Sequence, residues 1–192
     1  MDTNDVEAPI ESDEYRLWRY WIRLESMMVS SEPFCTIADE NLNAFSDEYA
    51  KIIILSSVHF ETCTKQLVKK WGGGPSDTEN MGQIRSFIVK QREGFCSLPL
   101  EIFAAGRQVT PLSAWKEGKP AEFWLAYTSI KHSYHTSSKL ATQQNAIEAL
   151  AAGLVTLLYI FEKQPRYRWP HSSLLLYPRS AFLVDLDPLK LP

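Results

Sequence analysis

Over most of the chain, apolar positions recur at helical rather than strand spacing. From Glu14 to about Val29, Tyr15, Leu17, Trp18, Trp21, Ile22, Leu24 and Met28 keep to helical steps, with Ser12 or Asp13 placed to cap the start. Phe45, Tyr49, Ile52, Ile53, Ser56, Phe60, Cys63 and Leu67 follow at steps of three and four. They predict a long helix over Asp39 to Trp71, stopped by Gly72, Gly73, Gly74 and Pro75. Ile84, Phe87 and Ile88 mark a shorter helix that starts at Asp77 or Thr78 and ends near Gln91 or Arg92. Pro120 suits the first turn of a helix running to about His135. A last helix, from Ser137 or Ser138 to Lys163, carries the uncharged run Ala149 to Phe161.

Two stretches break this period. Pro99, Gly106, Pro111 and Gly118 interrupt Gly94 to Lys119, where a short strand is expected around Glu101 to Ala104. Phe95, Leu98, Leu100, Ile102, Phe103 and Trp115 give that excursion material to pack. In the proline-rich tail, Leu174 to Tyr177 and Ala181 to Val184 are expected to pair as a hairpin or lie across the bundle. The expected fold is mainly α: a bundle of four to five helices with short extended segments at 95–110 and 173–185. The domain spans 14–163, between an acidic arm at 1–13 and a C-terminal extension at 164–192.

Composition narrows the function classes. The 192 residues are 45% hydrophobic and 22% charged, enough apolar material for a packed core. A net charge of −3 excludes a global basic field, so nucleic acid would have to bind at a local patch. Cys35, Cys63 and Cys96 are odd in number and widely spaced, which points away from a disulfide framework and towards a reducing, cytoplasmic setting. The N-terminus opens with acids rather than a basic, apolar leader. The apolar run Ala149 to Phe161 is shorter than the ~20 residues a membrane span needs, so it reads as a buried helix and no membrane partner is expected.

Chemistry concentrates in Phe123 to His135. On a helix, Trp124, Thr128, His132 and His135 follow one side, and Tyr127, Lys131 and Tyr134 a neighbouring one. Two imidazoles, an ammonium and two phenols within about two turns can bind phosphate and move protons near neutral pH. The same residues admit plainer roles: His132 as a packed histidine satisfied by a buried acceptor, Lys131 as a solvated residue, the aromatics as core. His132 and His135 also form an H-x-x-H, to which Glu61 or His59 would add a third ligand in a metal enzyme. The triple glycine after Trp71 lacks the G-K-[ST] of a phosphate loop. The cluster Lys163, Arg166, Arg168 and His171, interleaved with Tyr167 and Trp169, is either a strand-gripping patch or a polar edge of the bundle.

The run Trp124 to Tyr134, followed by the Ala/Leu-rich Leu140 to Phe161, resembles the HEPN superfamily, in particular bacterial proteins with a W-x-x-Y-N-x-x-K-H core. The resemblance covers about residues 40 to 162. It implies a small helical bundle, often dimeric, found among metal-independent ribonucleases and binders of prokaryotic defence and toxin–antitoxin systems. Within the usual R-x-x-x-x-H pattern, His132 matches the histidine and Tyr134 the tyrosine two positions on. Tyr127 stands in place of the arginine, and Thr128 where asparagine is common. Glu61 and Lys65 match an acid and lysine four apart on an earlier helix, a spacing that also suits a plain surface ion pair. Carried over, the site is His132 as proton carrier, with Lys131, Tyr127 and Tyr134 on the phosphate and Glu61 orienting a neighbour. No cofactor or metal is implied, and RNA and a second copy are the expected partners. Loss of the arginine removes a bidentate charge and leaves a non-enzymatic interaction or dimerisation module, in a defence complex, as the competing expectation.

Overall fold

The structure, a computed structural model, describes residues 13–162 and 176–178. Helix α1 spans Asp13–Ser31, α2 Asp47–Lys70, α3 Met81–Gln91, α4 Glu122–Ser137 and α5 Gln143–Phe161. The mainly α bundle read from the periodicity is therefore present. The acidic arm at 1–12, the Lys163 to His171 cluster and Ala181 to Val184 lie outside the described residues.

Helix α5 is the centre. Every residue from Ala149 to Phe161 is buried, because α2 lies along it and α1 and α4 pack on its other sides. Among the described helices it alone is long and apolar enough to cross a membrane, and most of it is covered by its neighbours. Gly153 permits a close approach of α1. A β-carbon there would sit 3.1 Å from the Trp21 ring of α1, whose indole N–H donates to the Leu150 carbonyl at 2.9 Å. Helix α1 presents Trp18, Trp21, Leu24 and Met28 to the core, the stripe that its spacing predicts.

Helix boundaries depart from expectation at turns with their own chemistry. The long helix predicted from Asp39 begins only at Asp47. Asp39–Asn41 forms a 3₁₀ turn, and Phe45 pairs with Thr142 in an isolated antiparallel bridge. Ser46 then caps α2, its hydroxyl accepting the Tyr49 N–H at 3.1 Å. Ser138–Leu140 is likewise a 3₁₀ turn, so the last helix starts after Thr142, which caps the Asn145 N–H at 3.2 Å. The third helix starts later too, where Asn80 and Gln83 form a reciprocal capping box. At the end of α2, Gly72 takes φ +87° and the Gly73 N–H reaches back to the Val68 carbonyl at 2.9 Å, so the glycine run acts as a helix stop.

The irregular excursion contains a strand near the expected position and builds a small sheet on it. Strand β1 (Leu100–Ile102) pairs antiparallel with β2 (Arg107–Val109). Its other edge takes β3 (Leu176–Pro178), from the tail. The tail strand thus adds to β1. Glu25 of α1, fully buried, accepts the Leu176 N–H at 3.0 Å and ties this strand to the bundle.

Candidate functional site

Helices α2 and α4 run antiparallel. Phe60 meets Phe123 and Trp124 at ring distances of 5.5 and 6.3 Å, while at the other end the Tyr134 hydroxyl donates to the Asp47 carboxylate. That frame decides which expected site residues meet.

Glu61 does not join the group. It lies beside Phe60, level with the start of α4, and its carboxylate takes the Lys65 ammonium at 2.6 Å. His132 is eight residues past Trp124, about 12 Å further along the axis at 1.5 Å per residue. The Glu61–Lys65 pair is a partly exposed helix-surface ion pair, worth a few tenths of a kcal/mol. Tyr127 also leaves the surface. It is 5% exposed, its ring tilted against Trp124 at 5.0 Å, so its phenol is core packing rather than a substitute for arginine. Its ring carries the Lys131 ammonium 5.6 Å from the centroid, which helps to fix that cation in place. Tyr134 keeps its hydroxyl on Asp47, which raises the phenol pKa above its ordinary value.

His132 is exposed, and so are Lys131 and His135. The reading of His132 as a packed, satisfied core histidine is therefore set aside. It lines an open depression of about 380 Å³ with Thr128, Ser129, Ser133 and Ser137. The Thr128 hydroxyl is spent on the Trp124 and Leu125 carbonyls. Those of Ser129, Ser133 and Ser137 have no hydrogen-bond partner among the described residues, and all three line the depression with His132. Helical dihedrals break at Ser133 (φ −152°, ψ 63°), and the last turn carries Tyr134 to Asp47. Between Glu122 and Glu148 the sequence holds no acid, while Lys131, Lys139, His132 and His135 fall in that interval. This acid-free interval is the sequence signal that picks out the surface most simply. Periodicity located the helix but gave no weight to Ser129, Ser133 and Ser137.

His59, the buried histidine among the described residues, has a different setting. His59 is 3% exposed, with Cys63 Sγ 3.4 Å from Nε2 and the Tyr20 ring edge-on at 5.3 Å. Burial lowers its pKa from 6.5 to about 4 and raises that of the Cys63 thiol. The nearby hydroxyls of Ser56 and Ser57 are buried with no protein partner among the described residues. Neither His59 nor Glu61 supplies a third ligand to His132 and His135. Among the described residues, no three His, Cys, Asp or Glu side chains converge in a metal-binding cluster.

Chemically, the α4 depression can offer hydroxyl donors, an imidazole and a neighbouring ammonium to an anionic chain running past it. No family model, no curated protein and no solved structure matches this chain.

Proposed function

We propose that this chain is an RNA-directed protein of HEPN type that grips the phosphate backbone with the outer face of α4. The depression lined by His132 and the free hydroxyls of Ser129, Ser133 and Ser137 carries the reading. Three features support it. The depression is open, it lies in an interval without acids, and Lys131 stands beside it over the Tyr127 ring. The resemblance of Trp124 to Tyr134 to HEPN proteins supplies the nucleic-acid class, and a role in prokaryotic defence belongs to the same proposal. Hydroxyls and an ammonium suit phosphate oxygens, which ask for donors and charge rather than for a closed pocket.

Binding is favoured over cleavage. Attack by a 2′-hydroxyl needs a base, an acid and cationic stabilisation of the phosphorane. His132 can carry one proton. Glu61 is about 12 Å away along the helix axis and bound to Lys65, and Tyr127 is buried.

Titration of a labelled RNA over salt, with metal chelated, tests the reading. Affinity is expected to fall steeply with salt. Lys131→Ala is expected to lower the slope by about one, and His132→Ala to weaken binding at every salt concentration. Binding that ignores salt, or no binding, overturns the RNA reading in favour of a protein-interaction module. Metal-free cleavage abolished by His132→Ala would make the chain a ribonuclease.

A further inference from the structure

We infer that the nucleic acid taken by this surface is single-stranded, with unpaired bases stacking on Phe45 and Tyr134 while the backbone follows the α4 hydroxyls. The inference rests on the RNA reading above and narrows it. Its starting point is an exposed aromatic that the fold holds out. Phe45 is 53% exposed, yet its backbone is pinned. The Gln143 N–H donates to the Ala44 carbonyl at 2.9 Å, and the Ser46 N–H donates to the Ala141 carbonyl at 3.2 Å. The segment therefore cannot swing to bury the ring.

Ser46 is extended (φ −159°, ψ 163°), so the backbones of Phe45 and Asp47 lie about 7 Å apart at strand rise. Asp47 in turn accepts the Tyr134 hydroxyl, and the Tyr134 ring is 39% exposed. Two exposed rings are thus connected through Asp47, one with its backbone pinned and the other held by its hydroxyl. Tyr134 directly follows Ser133 of the depression; Leu140, 42% exposed, and Phe34, 90% exposed and next to Cys35, which Gln143 holds, add apolar side chains at this end of the bundle.

Charge selects the occupant. Lys131, His132, His135 and Lys139 lie on the same chain segment as Tyr134. Of the acids at the start of α2, Glu48 is ion-paired with Lys51 at 2.6 Å, while Asp47 accepts a hydrogen bond from the neutral Tyr134 hydroxyl. Protruding aromatics beside hydroxyls and cations match a strand whose bases are free to stack. A duplex encloses its bases and offers those rings nothing. A protein partner would instead meet apolar side chains interleaved with cations and hydroxyls, without the charge-depleted centre of a protein interface.

Fluorescence anisotropy with a labelled oligouridine, and with a duplex RNA of the same length, tests this at one low salt concentration. The single strand is expected to bind roughly tenfold or more tighter than the duplex. Phe45→Ala should cost the single strand roughly tenfold, leave the duplex unchanged, and be rescued by Phe45→Trp. Equal affinity for both forms, with Phe45→Ala silent and Lys131→Ala still weakening both, overturns the single-strand inference and leaves the RNA reading standing. Absence of binding to either form overturns both. Phe45→Ala that alters only the protein's mass in light scattering assigns the rings to a protein interface and overturns the inference.

Discussion

The interior around His59 and the outer face of α4 use the same side chains to opposite ends. Both regions hold a histidine, a pair or row of serines and nearby aromatics. In the interior, α1, α2 and α5 close over His59, Ser56, Ser57 and Cys63, and water is excluded. There the imidazole is held neutral, and the polar atoms are packing elements with few partners. On α4, His132 and its serines face solvent with donors unspent. Residue type therefore says little about role. Which neighbouring helix covers the residue decides whether its polar groups cost stability or are free to bind.

The difference can be broken most forcefully on the buried side. Trp21→Ala removes a ring with no exposure, the Leu150 carbonyl's indole donor and the surface that fills Gly153. A loss of about 3–5 kcal/mol is expected by denaturant unfolding. His132→Ala, at an exposed position, should change stability by less than about 0.5 kcal/mol. A comparable loss in both variants would contradict the separation.

A smaller effect is expected from acid. Burial holds His59 at about 4 in the folded chain, against 6.5 when unfolded. As pH falls through 6.5, the unfolded chain takes up a proton that the folded one refuses. Stability therefore drops between those values, by up to about 3 kcal/mol, and levels off for this group below about pH 4. A His59→Gln variant should lose most of that dependence in unfolding curves recorded across the range. An unchanged pH profile would mean that His59 is not the buried titrating group.

How much of this was legible beforehand follows from the same contrast. Helical spacing located all five helices, because a core-facing stripe must recur every three to four residues wherever the helix packs. It missed the break before Asp47, since the bridge between Phe45 and Thr142 is a long-range pairing that no local pattern records. Likewise β3 joins β1 across the chain, a long-range pairing that the expectation of a hairpin or of a segment lying across the bundle did not specify. At the candidate site, the spacing of Thr128 and His132 put both in one depression. Glu61 and Tyr127 went astray for want of two facts: the antiparallel register of α2 on α4, and the side of α4 that turns inward. Both are set by packing between helices, which sequence spacing does not encode.

The central claim is that RNA meets the chain at His132 and not in the interior. Imidazole carbon-bound proton resonances, assigned through single His→Gln variants and followed by NMR as RNA is added, test it directly. The His132 signal is expected to shift progressively to saturation while that of His59 stays in place. Saturable RNA binding that leaves His132 unmoved would contradict the account.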